Sequence, residues 1–163
     1  MTGLLDALTP DGRVVMLSSG AHHRAPEVGI DFDDLSLAKS YSPWGAYGQS
    51  KLANLLFAKS LAKRLAGTKK TANAVHPGVI ATNLWRHMNV VARVAAPVAA
   101  AVAMKNMEQG AATQCYVATH PSLANVSGEY FSDCNVTKPS RHARNEAMAE
   151  KLWDVTEAIV AKL

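Results

Sequence analysis

Short apolar runs and longer segments with apolar residues at helical spacing follow one another along this chain. The run at 13–17 is continuous rather than alternating, which is typical of a strand that is covered on both faces. Two further runs, at 71–76 and 129–131, have the length of strands, and the Pro-Gly pair at 77–78 ends the first of them. The pattern therefore predicts three strands.

A long helix is predicted between the first two strands. Ser42 is a good N-cap, Pro43 fits the first helical position, and leucines at helical spacing continue to about Leu65 before Gly67 ends the helix. Segments 107–119 and 145–163 show a similar pattern and are predicted as helices. The remaining predictions are the last turns of a helix at 1–8, a polar loop at 20–40, and helical pieces at 84–104 around Pro97.

The order strand, helix, strand, helix, strand indicates parallel strands joined by right-handed crossovers. We therefore predict the α/β class, as a partial Rossmann-like, doubly wound sheet of about three strands with flanking helices. At 163 residues, without an internal repeat or a linker, the chain is predicted to form a single domain over 1–163.

Composition excludes several classes of protein. The net charge of +4 comes from 17 basic and 13 acidic residues, and no aromatic residues interleave with the basic ones, so we expect no nucleic-acid binding. The longest apolar run, 90–104, is interrupted by Arg93 and Pro97, so we expect no transmembrane segment. Cys115 and Cys134 lack metal-ligand spacing, and no leader sequence is visible. We therefore expect a cytoplasmic protein with free thiols.

Tyr47 and Lys51 are four residues apart on the predicted long helix, so their side chains share one face. A phenol with a reference pKa of about 10 is a poor proton donor near neutrality, but a cation within about 4–6 Å favours the phenolate. The pair could therefore catalyse proton transfer. The spacing alone favours a tyrosine and a lysine on the surface of an amphipathic helix, where such pairs are common.

Three other groups of residues lie where chemistry is possible. Ser18 and Ser19 end a strand at the edge where open α/β sheets bind ligands, although two serines can simply form a turn. A serine hydrolase would need a GxSxG elbow, which is missing. Pro77 and Gly78 form a strand-ending turn or a loop that approaches a ligand. A metal site is conceivable at His22, His23, Asp31, Asp33 and Asp34, but their irregular spacing favours a solvated loop.

Four stretches in this order resemble the short-chain dehydrogenase/reductase family, specifically its retinol-dehydrogenase-like branch. They are LSSGAHH at 17–23, AYGQSKLAN at 46–54, AVHPGV at 74–79 and YFSDC at 130–134. The resemblance runs from about residue 3 to the C-terminus. It implies an oxidoreductase that uses NAD or NADP to interconvert a carbonyl compound and an alcohol.

The resemblance also implies the roles of individual residues. Ser19 would donate a hydrogen bond to the substrate oxygen, and Tyr47 would be the general acid or base. Lys51 would assist Tyr47 and bind the nicotinamide ribose, so Tyr47 and Lys51 both contact the cofactor. The loop that cups the nicotinamide would contain Pro77, Gly78, Val79 and Thr82. The apolar segment 84–104, which is equally consistent with a core helix hairpin, would then cover a small apolar substrate such as a retinoid-like or steroid-like compound.

Parts of the family pattern are missing from the sequence. We find no glycine-rich turn, no Asn-Ala-Gly stretch and no asparagine of the proton relay. The resemblance thus implies the C-terminal catalytic half, without the N-terminal half that holds the pyrophosphate and adenine. We expect strand 13–17 to expose an unpaired edge. Two functions remain open: an oxidoreductase, or a catalytically silent, truncated fragment that acts as a dimerisation module. The resemblance implies a homo-oligomer formed through the helix of Tyr47 and Lys51.

Overall fold

A parallel sheet forms the centre of the molecule, whose computed structural model describes residues 2–80 and 105–163. Its strands lie in the order β1 (Arg13–Leu17), β2 (Thr71–His76), β3 (Tyr130–Ser132) and β4 (Asn135–Val136). The first three strands are parallel, with Leu17 beside Val75 and Val75 beside Phe131, whereas β4 is antiparallel to β3. The predicted class, a partial Rossmann-like α/β fold, is confirmed.

Within residues 2–80 and 105–163, three α-helices flank the sheet, namely α1 (Pro43–Arg64), α2 (Met107–Thr119) and α3 (Glu146–Val160). At the start of each helix, a polar side chain accepts a hydrogen bond from a backbone N–H. This side chain is Ser42 in α1, Asn106 in α2 and Asn145 in α3. Gly67, at φ +83°, lies just after α1, where a left-handed residue is needed. Short 3₁₀ helices occur at Thr2–Ala7, Gly20–Arg24, Pro121–Leu123 and His142–Arg144.

The helices cover both faces of the sheet. On one face, α1 and α3 bury Leu52, Leu55 and Ala74 in a common core, while on the other α2 buries Val117 against β2 and β3. Apolar side chains on both faces explain why the β1 and β2 sequences do not alternate. This doubly covered sheet holds the carboxyl ends of β1 and β2 in a fixed position beside α1.

Some elements differ from those predicted. Residues Thr2–Ala7 form a 3₁₀ helix rather than the end of an α-helix, and the predicted loop at 20–40 begins with the 3₁₀ helix Gly20–Arg24. Strand β4 was not predicted. It follows a tight turn in which Asp133 and Cys134 take positive φ values of 52° and 60°, and the Cys134 N–H donates to Thr113 Oγ1 at 3.2 Å.

Strand β1 is at an edge of the described sheet, because among residues 2–80 and 105–163 it pairs with β2 alone. Leu17 at its end has 47% of its surface exposed. The expected open edge is therefore present in this part of the chain. Within the same residues, no helix is both long and apolar enough to cross a membrane.

Candidate active site

The carboxyl end of β1 is bonded to the third turn of α1. Ser18 is buried and donates its hydroxyl to the carbonyl oxygen of Lys51 at 2.8 Å. In the reverse direction, Lys51 Nζ and Asn54 Nδ2 donate to the Leu17 carbonyl oxygen at 3.4 and 3.0 Å. These three bonds fix the register between the helix and the strand end, so Lys51 is held at the edge where ligands bind in open α/β sheets.

Tyr47 and Lys51 lie side by side on α1, as their spacing predicts. The Lys51 Nζ atom is 5.6 Å from the centre of the Tyr47 ring, and 42% of the Tyr47 surface is exposed. Trp44, one turn earlier, meets the Tyr47 ring edge-on at 6.4 Å between centroids, and the Arg24 guanidinium lies 4.6 Å from the Trp44 ring. The phenol is therefore open to solvent and bordered by an ammonium group and an aromatic ring.

Gly48 and Gln49 bring this part of α1 against the preceding loop. A Cβ atom at Gly48 would lie 2.6 Å from the backbone nitrogen of Ala25, so only glycine permits this approach. The Gln49 side chain accepts from the Asp31 N–H at 2.8 Å and donates to the Leu35 carbonyl at 3.0 Å. Both residues between Tyr47 and Ser50 thus hold the surrounding loop, which leaves Tyr47 to face outward.

Ser19 begins the 3₁₀ helix that follows β1. Its backbone is extended, at φ −162° and ψ 157°, and its Oγ accepts from the Ala21 N–H at 3.1 Å. The Ser19 side chain is only partly buried, in contrast to that of Ser18. The Ser19 hydroxyl accepts from Ala21 and can still donate its own proton. A substrate carbonyl or alkoxide oxygen can accept such a hydrogen bond.

The turn after β2, at 77–79, is held in place by contacts with Lys105. Gly78, at φ +93°, lies against the Lys105 side chain, and a Cβ there would be 2.6 Å from Lys105 Cδ. The Lys105 N–H donates to the Val79 carbonyl at 2.9 Å, while the Val79 side chain is 62% exposed. The Lys105 ammonium also forms an ion pair with Asp133. The loop is thus a fixed turn with one exposed apolar side chain.

Two histidine side chains near these elements have lowered pKa values. Burial lowers the pKa of His22 and of His76, and the positive charge of Lys105 lowers that of His76 further. The pKa of the Asp133 carboxyl is lowered by its hydrogen bond from Lys105. Burial raises the pKa of the Tyr130 phenol to about 12, so that phenol is a much poorer proton donor than an exposed one.

The structure describes six of the seven predicted site residues. It places Ser19 and Lys51 at the end of β1, Tyr47 on α1 one turn before Lys51, and Pro77, Gly78 and Val79 in the turn after β2. Thr82 and segment 84–104 lie outside the described residues. The interpretation of 77–79 as a strand-ending turn is also satisfied, since the turn makes its own contacts with Lys105.

Two residues that touch this region were missed in the sequence. Asn54 shares the Leu17 carbonyl with Lys51, and its position three residues after Lys51 on the same helix face could have revealed it. His22 was placed in a solvated loop, which is wrong, because it is 1% exposed. Its polar neighbours in the sequence give no sign of burial. Among the residues that the structure describes, no three metal-ligating side chains cluster.

Comparison with known proteins gives relatives along nearly the whole chain. It is 48% identical over 155 residues to the short-chain dehydrogenase TIC 32 A, chloroplastic, of Brassica napus, a match that covers 94% of this chain and 48% of the relative. It is 40% identical over 166 residues to human retinol dehydrogenase 14, covering 100% of this chain and again 48% of the relative. No family model matches the sequence.

Solved structures give the same fold. A crystal structure of an uncharacterized protein from Mycobacterium paratuberculosis superposes with a TM-score of 0.64 at 32% identity, over 90% of this chain and 49% of the other. A mutant short-chain dehydrogenase/reductase from Serratia marcescens superposes with a TM-score of 0.53 at 22% identity, over 76% and 44%. The chain spans about half the length of the curated relatives that it matches.

Proposed function

This chain belongs to the short-chain dehydrogenase/reductase family, and from that premise we propose that it carries the catalytic residues of an NAD(P)-dependent oxidoreductase. The proposed reaction interconverts a carbonyl compound and an alcohol. We further propose that the chain corresponds to the C-terminal half of its relatives. A cytoplasmic location stays a prediction of the sequence.

One observation carries this proposal, namely the arrangement of Tyr47 and Lys51 at the carboxyl end of β1. The phenol is exposed, its ring centre is 5.6 Å from the Lys51 ammonium, and that ammonium is held by the Leu17 carbonyl. A lysine on an ordinary helix surface would have no reason to be bonded to the end of a strand, as Lys51 is. The arrangement supports a built site over the simple surface pair.

The proposed roles follow from the polarity of each group. Tyr47 gives its phenolic proton to the substrate oxygen during reduction and takes it back during oxidation. The Lys51 ammonium stabilises the negative charge that develops on the phenolic oxygen. Ser19 donates a hydrogen bond to the same substrate oxygen, because its Oγ already accepts from Ala21. Ser18 is excluded from this role, since its hydroxyl is used by the Lys51 carbonyl.

The residues present fit the nicotinamide end of a dinucleotide. Gly78 turns the chain at φ +93°, and the exposed Val79 offers an apolar surface and backbone groups next to the strand end. We propose that Pro77, Gly78 and Val79 contact the nicotinamide, together with Thr82, and that Lys51 binds its ribose. When bound, the cofactor supplies or accepts the hydride. The pyrophosphate and adenine would need groups outside this chain.

The substrate is proposed to be a small apolar carbonyl compound or alcohol. The relatives named retinol dehydrogenase support this class, and Trp44 beside Tyr47 supplies an exposed aromatic surface at the site. A retinoid-like compound is therefore the first substrate to try.

Cofactor titration tests the proposal directly. Binding of NADH and NADPH is followed by nicotinamide fluorescence and by calorimetry for the unchanged chain, Lys51→Met and Lys59→Met. Lys59 lies on the same helix, two turns further on, and serves as the matched control. We expect binding that is lost in Lys51→Met and kept in Lys59→Met. If neither cofactor binds the unchanged chain, the oxidoreductase function fails for this chain.

The second candidate function, a silent association module, is favoured by the open edge of β1 and the exposed Leu17. An apolar strand edge that pairs on one side is a site for another strand. Under this proposal the isolated chain self-associates, through that edge or through α1. Light scattering that finds a single monomeric species, without binding of an apolar dye, would exclude it.

A further inference from the structure

A buried histidine lies directly beneath the loop that contains Ser19. His22 is 1% exposed, its Nδ1 is 2.6 Å from the Ser19 carbonyl oxygen, and its Nε2 is 3.1 Å from the backbone nitrogen of Ser140. The imidazole therefore connects the end of β1 with the segment that leads to the last helix. Such a connection over 118 residues of sequence is long-range, and both of its ends are backbone groups.

The two hydrogen bonds determine where the proton of the imidazole lies. The Ser140 N–H can only donate, so Nε2 must be the unprotonated nitrogen. A carbonyl oxygen can only accept, so Nδ1 must carry the hydrogen that is donated to Ser19. The neutral Nδ1–H tautomer is thus the one form of the ring that satisfies both partners, and burial favours the same neutral form.

The surroundings of the ring also favour a neutral imidazole. His23 stacks obliquely on it at 4.1 Å between ring centres, and Tyr130 on β3 meets it edge-on at 5.1 Å. Positive charge at His23 or His76 lowers the pKa of His22, in addition to the larger effect of burial. Tyr130 is an uncharged phenol at neutral pH, since its pKa is raised to about 12.

We propose that His22 is a positioning residue for Ser19, and that it works by fixing the Ser19 carbonyl through Nδ1–H while Ser140 fixes Nε2. The inference rests on the proposed role of Ser19 in the oxidoreductase reaction. The Ser19 carbonyl also accepts the His22 N–H at 3.1 Å, so two donors from one residue hold it. With its carbonyl fixed, Ser19 has one backbone conformation, in which Oγ accepts from Ala21 and its own proton is free for the substrate.

Ser140 links the His22–Ser19 contact to the last part of the chain. Its Oγ accepts the Ala143 N–H at 3.3 Å, from within the 3₁₀ helix His142–Arg144 that precedes α3. The position of Ser19 therefore depends on a segment that is far from Tyr47 and Lys51 in the sequence. A residue that merely filled space beneath the loop would not need either ring nitrogen.

Amide hydrogen exchange of the labelled chain tests this proposal without requiring turnover. His22→Phe keeps the ring volume and removes both hydrogen bonds. His22→Asn places an amide donor near the position of Nδ1 but has nothing at Nε2. We expect exchange at Ala21 and Ser140 to rise about tenfold in His22→Phe, and at Ser140 alone in His22→Asn. His23→Gln, on the exposed neighbour, is the matched control and should change neither amide.

A second measurement uses the unchanged chain. Long-range ¹H–¹⁵N correlation of the histidine rings is expected to show the Nδ1–H tautomer for His22, and an Nε2–H tautomer would overturn the proposal. Unchanged exchange at Ala21 and Ser140 in His22→Phe would overturn it too. The ring spectrum still decides if that variant does not fold.

Kinetics separate this proposal from the proposed function. Where the chain turns over, His22→Phe should lower kcat about tenfold or more with little effect on the KM for NADH, and His22→Asn should recover part of the loss. A loss that appears only in the KM for NADH would contradict positioning of Ser19. If the unchanged chain has no turnover, the oxidoreductase function fails, whereas exchange and tautomer still decide the role of His22.

Discussion

The hydroxyl of Ser18 donates a 2.8 Å hydrogen bond to the backbone carbonyl of Lys51, so the strand end and the helix are joined at the residue that carries the ammonium group. Adjacent serines therefore have separate uses. Ser18 is buried and bonded to α1, while Ser19 is partly exposed. We therefore expect substitution of Ser18 to change the stability of the chain and substitution of Ser19 to change its chemistry.

Replacing Ser18 by alanine should destabilise the chain by about 1 kcal/mol, since a buried hydrogen bond is lost without any new one. Urea denaturation followed by circular dichroism measures the change. The control is Ser50→Ala, which also removes a 2.8 Å hydroxyl-to-carbonyl bond, but from an exposed residue inside α1. That control should change stability by less than about 0.5 kcal/mol. Equal effects of the two substitutions would show that the strand-to-helix bond adds no more stability than an exposed bond within α1.

Tyr47→Phe should abolish turnover and leave cofactor affinity nearly unchanged, because it removes only the phenolic oxygen that gives up the proton. Steady-state assays with NADH and a retinoid-like aldehyde, alongside cofactor titration, measure the two effects separately. Tyr41→Phe provides the control, since Tyr41 is also exposed and lies before the helix begins. Turnover retained in Tyr47→Phe would remove Tyr47 from the mechanism.

Gly48→Ala should destabilise the chain by about 1–3 kcal/mol, which is the usual range for forcing a methyl group into an occupied space. The new Cβ would lie 2.6 Å from the backbone of Arg24 and Ala25, and backbone atoms cannot rotate away as the end of a side chain can. Gly3→Ala is the control, because no atom lies within 4 Å of a Cβ at that position. Chemical denaturation of both variants gives the comparison; similar midpoints would contradict the close approach.

Stability should fall as the pH decreases from 7.5 to 5.5. The pKa of His22 and of His76 is lowered in the folded chain from the ordinary value of 6.5, mainly by burial. The unfolded chain therefore binds protons first, so the stabilisation is complete above pH 6.5 and is lost progressively below it. Urea midpoints at three pH values measure the slope, which should be smaller in His22→Phe. A midpoint that rises on acidification over this range would contradict the prediction.

Much of the architecture could be predicted because its boundaries are encoded locally. Strand β2 ends at His76, just before Pro77, as expected, and α2 begins after Asn106, whose side chain and that of Gln109 form a reciprocal cap. In contrast, β4 has only two residues and depends on positive φ values at Asp133 and Cys134, two residue types that do not reveal a tight turn as glycine does. Local patterns therefore predicted the long elements and the short strand β3, but missed β4.

The candidate site divides in the same way. Tyr47 and Lys51 are recognisable since helical spacing alone brings them together. The burial of His22 depends on contacts with Ser19 and Ser140, and the second of these is 118 residues away in sequence. A polar residue in a polar segment gives no local sign of such contacts. Residues that position a catalytic group through distant partners are for this reason the hardest to predict.

Ile80 and Lys105 pair as neighbours in a parallel bridge, and the Lys105 N–H donates to the Val79 carbonyl. Residues 80 and 105 are thus held next to each other, and Gly110 permits this close packing because a Cβ there would lie 2.4 Å from Ile80. A segment between 80 and 105 therefore has to begin and end at neighbouring positions of the scaffold, whatever its own sequence.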